Sequence, residues 1–200
     1  MLRGNFALAY HGCDEAVGER ILRNKEHVSL STNDYDWLGN GAYFWENSPV
    51  RALSWAGFIK DNPQHFKHTI KKPFVAGAII EIGRCLDLTD EESLKIVAGN
   101  YADYKKIFDE AGAVLPQNAP SHSDDADLVK RHLDCAVINY VHAIRQKKGL
   151  PAFDTVRGIF TEGGELYPGA KIMAKTHVQI CVRDPKASVK AYFRPMSNRD

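Results

Sequence analysis

The sequence predicts an α+β fold, and three observations carry that reading. β-prone segments stand at both ends of the chain while the helical patterns are grouped between them. The regular strand–helix alternation of a doubly wound sheet is missing. Neither GxGxxG nor GxxxxGKS/T occurs, so a Rossmann or Walker phosphate cradle is not expected. The 200 residues suit one domain spanning 1–200, with 44% hydrophobic residues, enough for a sizeable core without disulfide staples.

The elements follow in order. Residues 6–11, Phe-Ala-Leu-Ala-Tyr-His, read as a short strand that ends at His11-Gly12. Asp14 can cap the next helix, where Ala16, Val17, Ile21 and Leu22 fall at helical spacing and Asp14 and Glu15 suit the dipole. Residues 29–40 are turn-rich, and Gly39-Asn40-Gly41 can supply positive φ. Ala42-Tyr43-Phe44-Trp45 is β-prone. Asn47 or Ser48 before Pro49 signals a helix start, continued over 50–61 by Ala52, Leu53, Ala56 and Ile59.

Residues 74–83, FVAGAIIEIG, read as a central strand. From Leu86 to Ala111 the pattern is helical in short pieces, with a capping box at Thr89 and Glu92. Residues 112–124 read as a surface loop. Asp125 to Lys148 reads as the clearest helix, ended by Gly149-Leu150-Pro151. Strands are expected at 153–160, 177–183 and 187–193, with a glycine-containing loop over 161–175.

Lys plus Arg (26) against Asp plus Glu (25) leaves a net charge of +1, which excludes a strongly basic nucleic-acid binder on bulk charge but not a local patch. The most basic stretch is Lys60–Lys72, which also holds His65 and His68; a solvated face is its simplest reading. No stretch approaches the ~20 apolar residues that span a bilayer, and MLRGNFALAYHGCDE turns polar too soon for a signal peptide. A cytoplasmic protein without membrane contact is expected. Cys13, Cys85, Cys135 and Cys181 are scattered, which suits reduced, mostly buried thiols rather than disulfides or a metal site.

Three segments could carry chemistry. In Tyr10-His11-Gly12 a histidine closes a strand, and the glycine leaves backbone bare for a ligand. In Trp37–Trp45 four aromatics surround glycines that would let a flat ligand approach the backbone. In His177–Asp184 a polar Gln179 lies between Val178 and Ile180 of an otherwise apolar strand. Each segment also has a structural reading, as a satisfied histidine, a core cluster and a simple alternation.

In this order, Tyr10-His11-Gly12, Gly41-Ala42-Tyr43-Phe44 and Val178-Gln179-Ile180-Cys181-Val182 resemble the ADP-ribosyltransferase superfamily, in the branch shared by diphtheria toxin and the poly(ADP-ribose) polymerases. The resemblance covers nearly the whole chain. It implies a split β-sandwich of two small antiparallel sheets, with helices packed around it and NAD⁺ bound between the sheets as co-substrate, without a metal. It also implies that His11 holds the ribose of the adenosine half, that the Gly12 backbone holds the nicotinamide carboxamide, and that Tyr43 stacks on the ring. Trp55 is the candidate for the opposite ring face, although Ser54 fits the register about as well. Cys13 stands where many relatives carry a small hydroxyl residue.

The same resemblance implies glycosyl transfer through an oxocarbenium-like state. Relatives commonly use a glutamate where this chain has Gln179. An amide can orient a hydroxyl but carries no charge and cannot act as a base. Glu162 or Glu165, on the loop before that strand, could substitute. The expected activity is mono-ADP-ribosyl transfer to a protein or nucleic acid acceptor, since chain extension relies on the missing glutamate. The acceptor is expected to meet the loop Thr161–Lys175. A bacterial toxin or defence effector, with a cognate inhibitor or antitoxin as partner, fits by analogy. The alternatives are a weak or inactive module that binds NAD⁺ or ADP-ribose, and an RNA-processing relative that moves a 2′-phosphate, for which no arginine cluster is evident.

Overall fold

The computed structural model describes residues 5–120 and 127–196. The elements run β1 (Phe6–Asp14), α1 (Glu15–Leu22), β2 (Ala42–Glu46), α2 (Pro49–Asp61), a 3₁₀ turn (Pro63–His65), β3 (Pro73–Glu81), β4 (Cys85–Asp87), α3 (Glu91–Ala111), α4 (His132–Lys147), β5 (Thr155–Phe160), β6 (His177–Val182), α5 (Pro185–Ser188) and β7 (Val189–Phe193). The α+β class expected from the sequence is the class observed.

All seven strands lie in one hydrogen-bonded sheet, in the order β4-β5-β6-β2-β1-β3-β7. This corrects the expectation of two separate sheets. One vestige of a division remains. β1 pairs with β3 along its whole length, from Phe6–Glu81 to Asp14–Pro73, but meets β2 only at Ala9–Glu46 and Tyr10–Trp45. The halves β4-β5-β6-β2 and β1-β3-β7 are therefore joined by a narrow seam. All pairings are antiparallel except that of β4 with β5.

Helices sit on both faces. Successive strand residues point to opposite sides. One face presents Ala9, Phe44, Ala78, Ile80 and Ile180, buried together with Ile21 of α1. On the other face α4 packs Ile138 and Val141 against Leu86, Val156 and Cys181. α2 covers the β1–β3 half of that second face through Ala52, Ala56 and Ile59, all of them buried.

Local signals explain most element starts. The Asp14 carboxylate accepts from the Ala16 amide and starts α1, and its other oxygen accepts from the Lys71 and Lys72 amides, which ties the basic segment to the end of β1. Pro49 occupies the first turn of α2. Three expected boundaries are corrected. β1 does not end at His11-Gly12 but runs on to Asp14, with His11 and Gly12 paired to Ala76 and Val75 of β3, so His11 lies within the strand rather than closing it. The segment expected in short helical pieces is strand β4 and then one continuous α3, because Asp90 rather than Thr89 is the cap and accepts from the Ser93 amide. α4 begins at His132, not Asp125. Lys130 is held in a backbone bridge with Ala119, and Asn118 accepts from the Leu133 and Asp134 amides, so an outside side chain serves the helix start. Residues 121–126, which include the end of the loop expected over 112–124 and the first two residues of the expected helix, lie outside the described residues.

Candidate functional site

Strands β1 and β2 part just beyond Tyr10–Trp45, at the Tyr10-His11-Gly12 segment. The Leu8 carbonyl accepts from the Asn47 amide, so Leu8 turns its backbone polar groups towards β2. Alternate residues repeat that direction, so the Gly12 amide and carbonyl also face β2. In continued register Gly12 would lie opposite Tyr43, but the ladder has ended there. The His11 side chain reaches across instead. Its Nδ1 lies 2.9 Å from the Tyr43 carbonyl oxygen. A carbonyl only accepts, so Nδ1 carries the proton and Nε2 is left as an acceptor. Burial holds the His11 pKa below the ordinary histidine value, and the nearby His68 adds to that, against the opposing effect of the carbonyl.

The two side chains flank this parting from opposite faces. The His11 ring lies 5.9 Å from Phe44, on the α1 side. Tyr43 packs against the cluster containing Leu38 and Cys181, on the α4 side. The Tyr43 hydroxyl donates to the Gly39 carbonyl at 2.7 Å and accepts from the Leu38 amide at 3.0 Å. Gly39, at φ +78°, makes that turn possible. Burial, ahead of the neighbouring thiols and Asp36, drives the Tyr43 pKa far upward, so the phenol stays neutral and takes no part in acid–base chemistry.

Gly12 is required by packing as well. A Cβ there would lie 2.0 Å from the Ala52 carbonyl oxygen of α2. Cys13 is buried, and its thiol is pushed up to about 12, first by burial and then by the Asp14 and Glu26 carboxylates. It is an inert thiol, not a nucleophile.

The late strand brings a second group to the α2 and α4 face of the sheet. Gln179 lies opposite Trp45 of β2 and Gly158 of β5. The Trp37 indole N–H donates to Gln179 Oε1 at 2.7 Å, which fixes the amide and leaves its NH₂ as the outward donor. His177 is two residues away on the same side of β6, with its ring 6.4 Å from Trp45. Its Nδ1 donates to the Lys175 carbonyl at 2.7 Å, which makes Nε2 an acceptor. Burial, and then the Arg51 charge, keep His177 below its ordinary pKa despite that hydrogen bond.

Glu162 and Glu165 differ sharply. Glu162 meets Arg51 in the first turns of α2 at 2.5 Å, with both side chains about four-fifths buried. Its pKa is raised, because burial outweighs the Arg51 and Lys175 charges. Glu165 is exposed and accepts from the Gly169 amide within its own loop, so it braces that loop. Trp55 projects from α2 into a surface aromatic group with its ring 6.2 Å from Trp45. The structure thus gathers His11, Gly12 and Tyr43 around the parting, and gathers Gln179, Trp45 and His177 beside Arg51 and Glu162. It leaves Glu165 on the outer loop.

Three side-chain atoms in this second group are buried without a hydrogen-bond partner: Trp45 Nε1, Arg51 Nε and His177 Nε2. Trp45 and His177 are only 4% and 6% exposed. Two donors and one acceptor left unpaired in one place are costly, unless a polar ligand completes them. Sequence reasoning missed Arg51 and His177 as site residues. The signal for His177 was its position two residues before Gln179 on a strand; Arg51 gave none. Among the described residues, no group of three or more histidines, cysteines and carboxylates gathers as a metal would need, and no helix is long and apolar enough to cross a membrane.

Over an alignment 202 positions long, the chain is 28% identical to an uncharacterized protein, MJ0359, of the archaeon Methanocaldococcus jannaschii, covering 90% of this chain and 84% of that protein. No family model matches the chain, and no solved structure gives a significant match.

Proposed function

We propose that the protein is a mono-ADP-ribosyltransferase that cleaves NAD⁺ at the nicotinamide–ribose bond and transfers ADP-ribose to a macromolecular acceptor. The observation that carries this reading is the parting of β1 from β2, where the Gly12 amide and carbonyl face a strand with which they no longer form a ladder. That pair of groups, a donor and an acceptor on one residue, suits a carboxamide. The unpaired Trp45, Arg51 and His177 atoms add donors and an acceptor for ribose hydroxyls. The dinucleotide supplies the leaving group: the C1′–N bond breaks, its electron pair departs with neutral nicotinamide, and an acceptor oxygen or nitrogen bonds to C1′ and releases its proton to water.

In this reading His11, neutral through burial, offers Nε2 as an acceptor for a ribose hydroxyl. Tyr43 presents a ring locked by its own hydroxyl. Gln179, clamped by Trp37, orients a hydroxyl through its NH₂ but adds no negative charge. Glu162 is the nearest supply of charge, and Arg51 neutralises it in place. Turnover is therefore slow, and polymer extension is not supported.

Nicotinamide release from NAD⁺ by the purified protein tests the proposal, with His11→Ala and Tyr43→Phe as controls. The expected result is slow release that falls about a hundredfold in His11→Ala, the scale seen when one positioned group is lost. Equal release by wild type and His11→Ala rejects it. The clamped, uncharged Gln179 favours a second reading, a module that binds NAD⁺ or ADP-ribose without turnover. It predicts thermal stabilisation by ligand and no nicotinamide.

A further inference from the structure

Trp55, Phe58 and Phe66 form an aromatic group that stays open to solvent. Trp55 and Phe58 stack with centroids 5.8 Å apart, and Phe66 meets them edge-on at 5.6 and 6.0 Å. Phe58 is 50% exposed and Trp55 37%. Aromatic rings left in water beside one another are a cost to a monomer and a natural platform for a flat ligand.

Phe66 belongs to a second feature as well. It lines a hollow of about 320 Å³ between the Asn33–Tyr35 turn and the Gln64–His68 segment. Lys67 is exposed at its rim and reaches Asn33 Oδ1 at 3.2 Å. From Lys60 to Lys72 the chain carries four lysines against one carboxylate, Asp61. Lys72 is committed to Glu15, while Lys60, Lys67 and Lys71 are exposed.

We infer that this continuous surface binds single-stranded nucleic acid, with bases stacking on Phe58 and its neighbours and the backbone phosphates following the lysines. The pairing of half-exposed aromatic rings with the exposed lysines of the same segment matches such a strand and not a duplex, whose bases are already stacked. A protein partner would be expected to cover the rings with an apolar rim rather than with lysines. The strand is assigned as the acceptor only on the basis of the transfer reading; its binding does not depend on that reading.

The test is fluorescence anisotropy of labelled oligothymidylate and oligouridylate of about twelve nucleotides, within the ~4–16 spanned by comparable sites, without NAD⁺. The two probes distinguish DNA from RNA. A duplex of equal length is the control. Wild type should bind the single strands more tightly than the duplex. Phe58→Ala should weaken binding about tenfold while Phe58→Tyr retains it, and Lys67→Glu should flatten the salt dependence by a slope of about 0.7. Phe58 is half exposed, so both variants should keep the wild-type melting temperature, which the same samples report. No single-strand binding at low salt, equal binding of duplex, or Phe58→Ala indistinguishable from wild type overturns the inference. Loss of nicotinamide release with oligonucleotide binding intact rejects the transfer reading alone.

Discussion

The His11 imidazole donates to the backbone carbonyl of Tyr43 across 2.9 Å, at the place where their two strands cease to pair. A ladder hydrogen bond is thus replaced by a side-chain bridge. The sheet stays connected there, yet Gly12 has no ladder partner on the β2 side. The seam of the fold and the proposed site are therefore the same place.

Gly12 serves α2 packing as well as the proposed ligand contact. Gly12→Ala places a methyl 2.0 Å from the Ala52 carbonyl oxygen, and a helix backbone cannot yield as a side-chain tip can. A loss of about 1–3 kcal/mol is expected, the usual cost of overpacking. Urea unfolding of the variant beside wild type reads it, and equal midpoints would show that α2 is not seated as described.

His142 is buried in α4 with both ring nitrogens unpartnered, edge-on to Phe153. Burial, and then the Arg183 and Arg145 charges, lower its pKa to about 3. The unfolded chain takes up a proton near pH 6.5, but the folded chain does not until about pH 3. Between those values the unfolded state binds more protons, so stability falls as pH is lowered. His142→Leu removes both the unpaired nitrogens and that proton uptake. It should match or exceed wild-type stability at pH 7 and show a shallower loss from pH 6.5 to 4, measured by urea midpoints. An unchanged slope counts against the assignment.

Gln179→Glu places a carboxylate at the late-strand position, with the Trp37 indole N–H placed to donate to it. Charge near a developing cation in a shielded site lowers the barrier strongly. Nicotinamide release should rise by about ten- to a hundredfold. No rise in a folded variant would mean that Gln179 does not face the reacting carbon.

Arg51 and Glu162 tie α2 to the loop before β6. Removing one partner strands the other, which for this partly exposed pair should cost about 1–3 kcal/mol. Arg51→Met and Glu162→Gln should each destabilise, and the double variant should recover much of the loss. Additive losses in the double-mutant cycle would show that the pair is not coupled.

How much of this was legible in the sequence depended on distance along the chain. The Asp14 cap, Pro49 at the start of α2 and the β-prone runs at β2 and β3 are local features, and they read correctly. The start of α4 misled because Leu128 and His132 share a helical spacing, while the backbone of Lys130 is taken by Ala119. The pattern of α3 looks broken in sequence because Thr89 competes with Asp90 for the cap, whereas the Thr89 hydroxyl donates to Asp87. At the site, the alternation that singled out Gln179 was visible, but its clamp by Trp37 joins residues 142 positions apart. The Arg51–Glu162 pair likewise spans 111 positions. The end of β1–β2 pairing is set by how two strands diverge, which no local pattern encodes.

The most direct measurement is a crystal structure with a hydrolysis-resistant NAD⁺ analogue. The account predicts the carboxamide against the Gly12 backbone between β1 and β2, a ribose hydroxyl on His11 Nε2, and the nicotinamide ribose beside Gln179. A dinucleotide bound elsewhere, or β1 and β2 closed over an empty seam at saturating analogue, would contradict it.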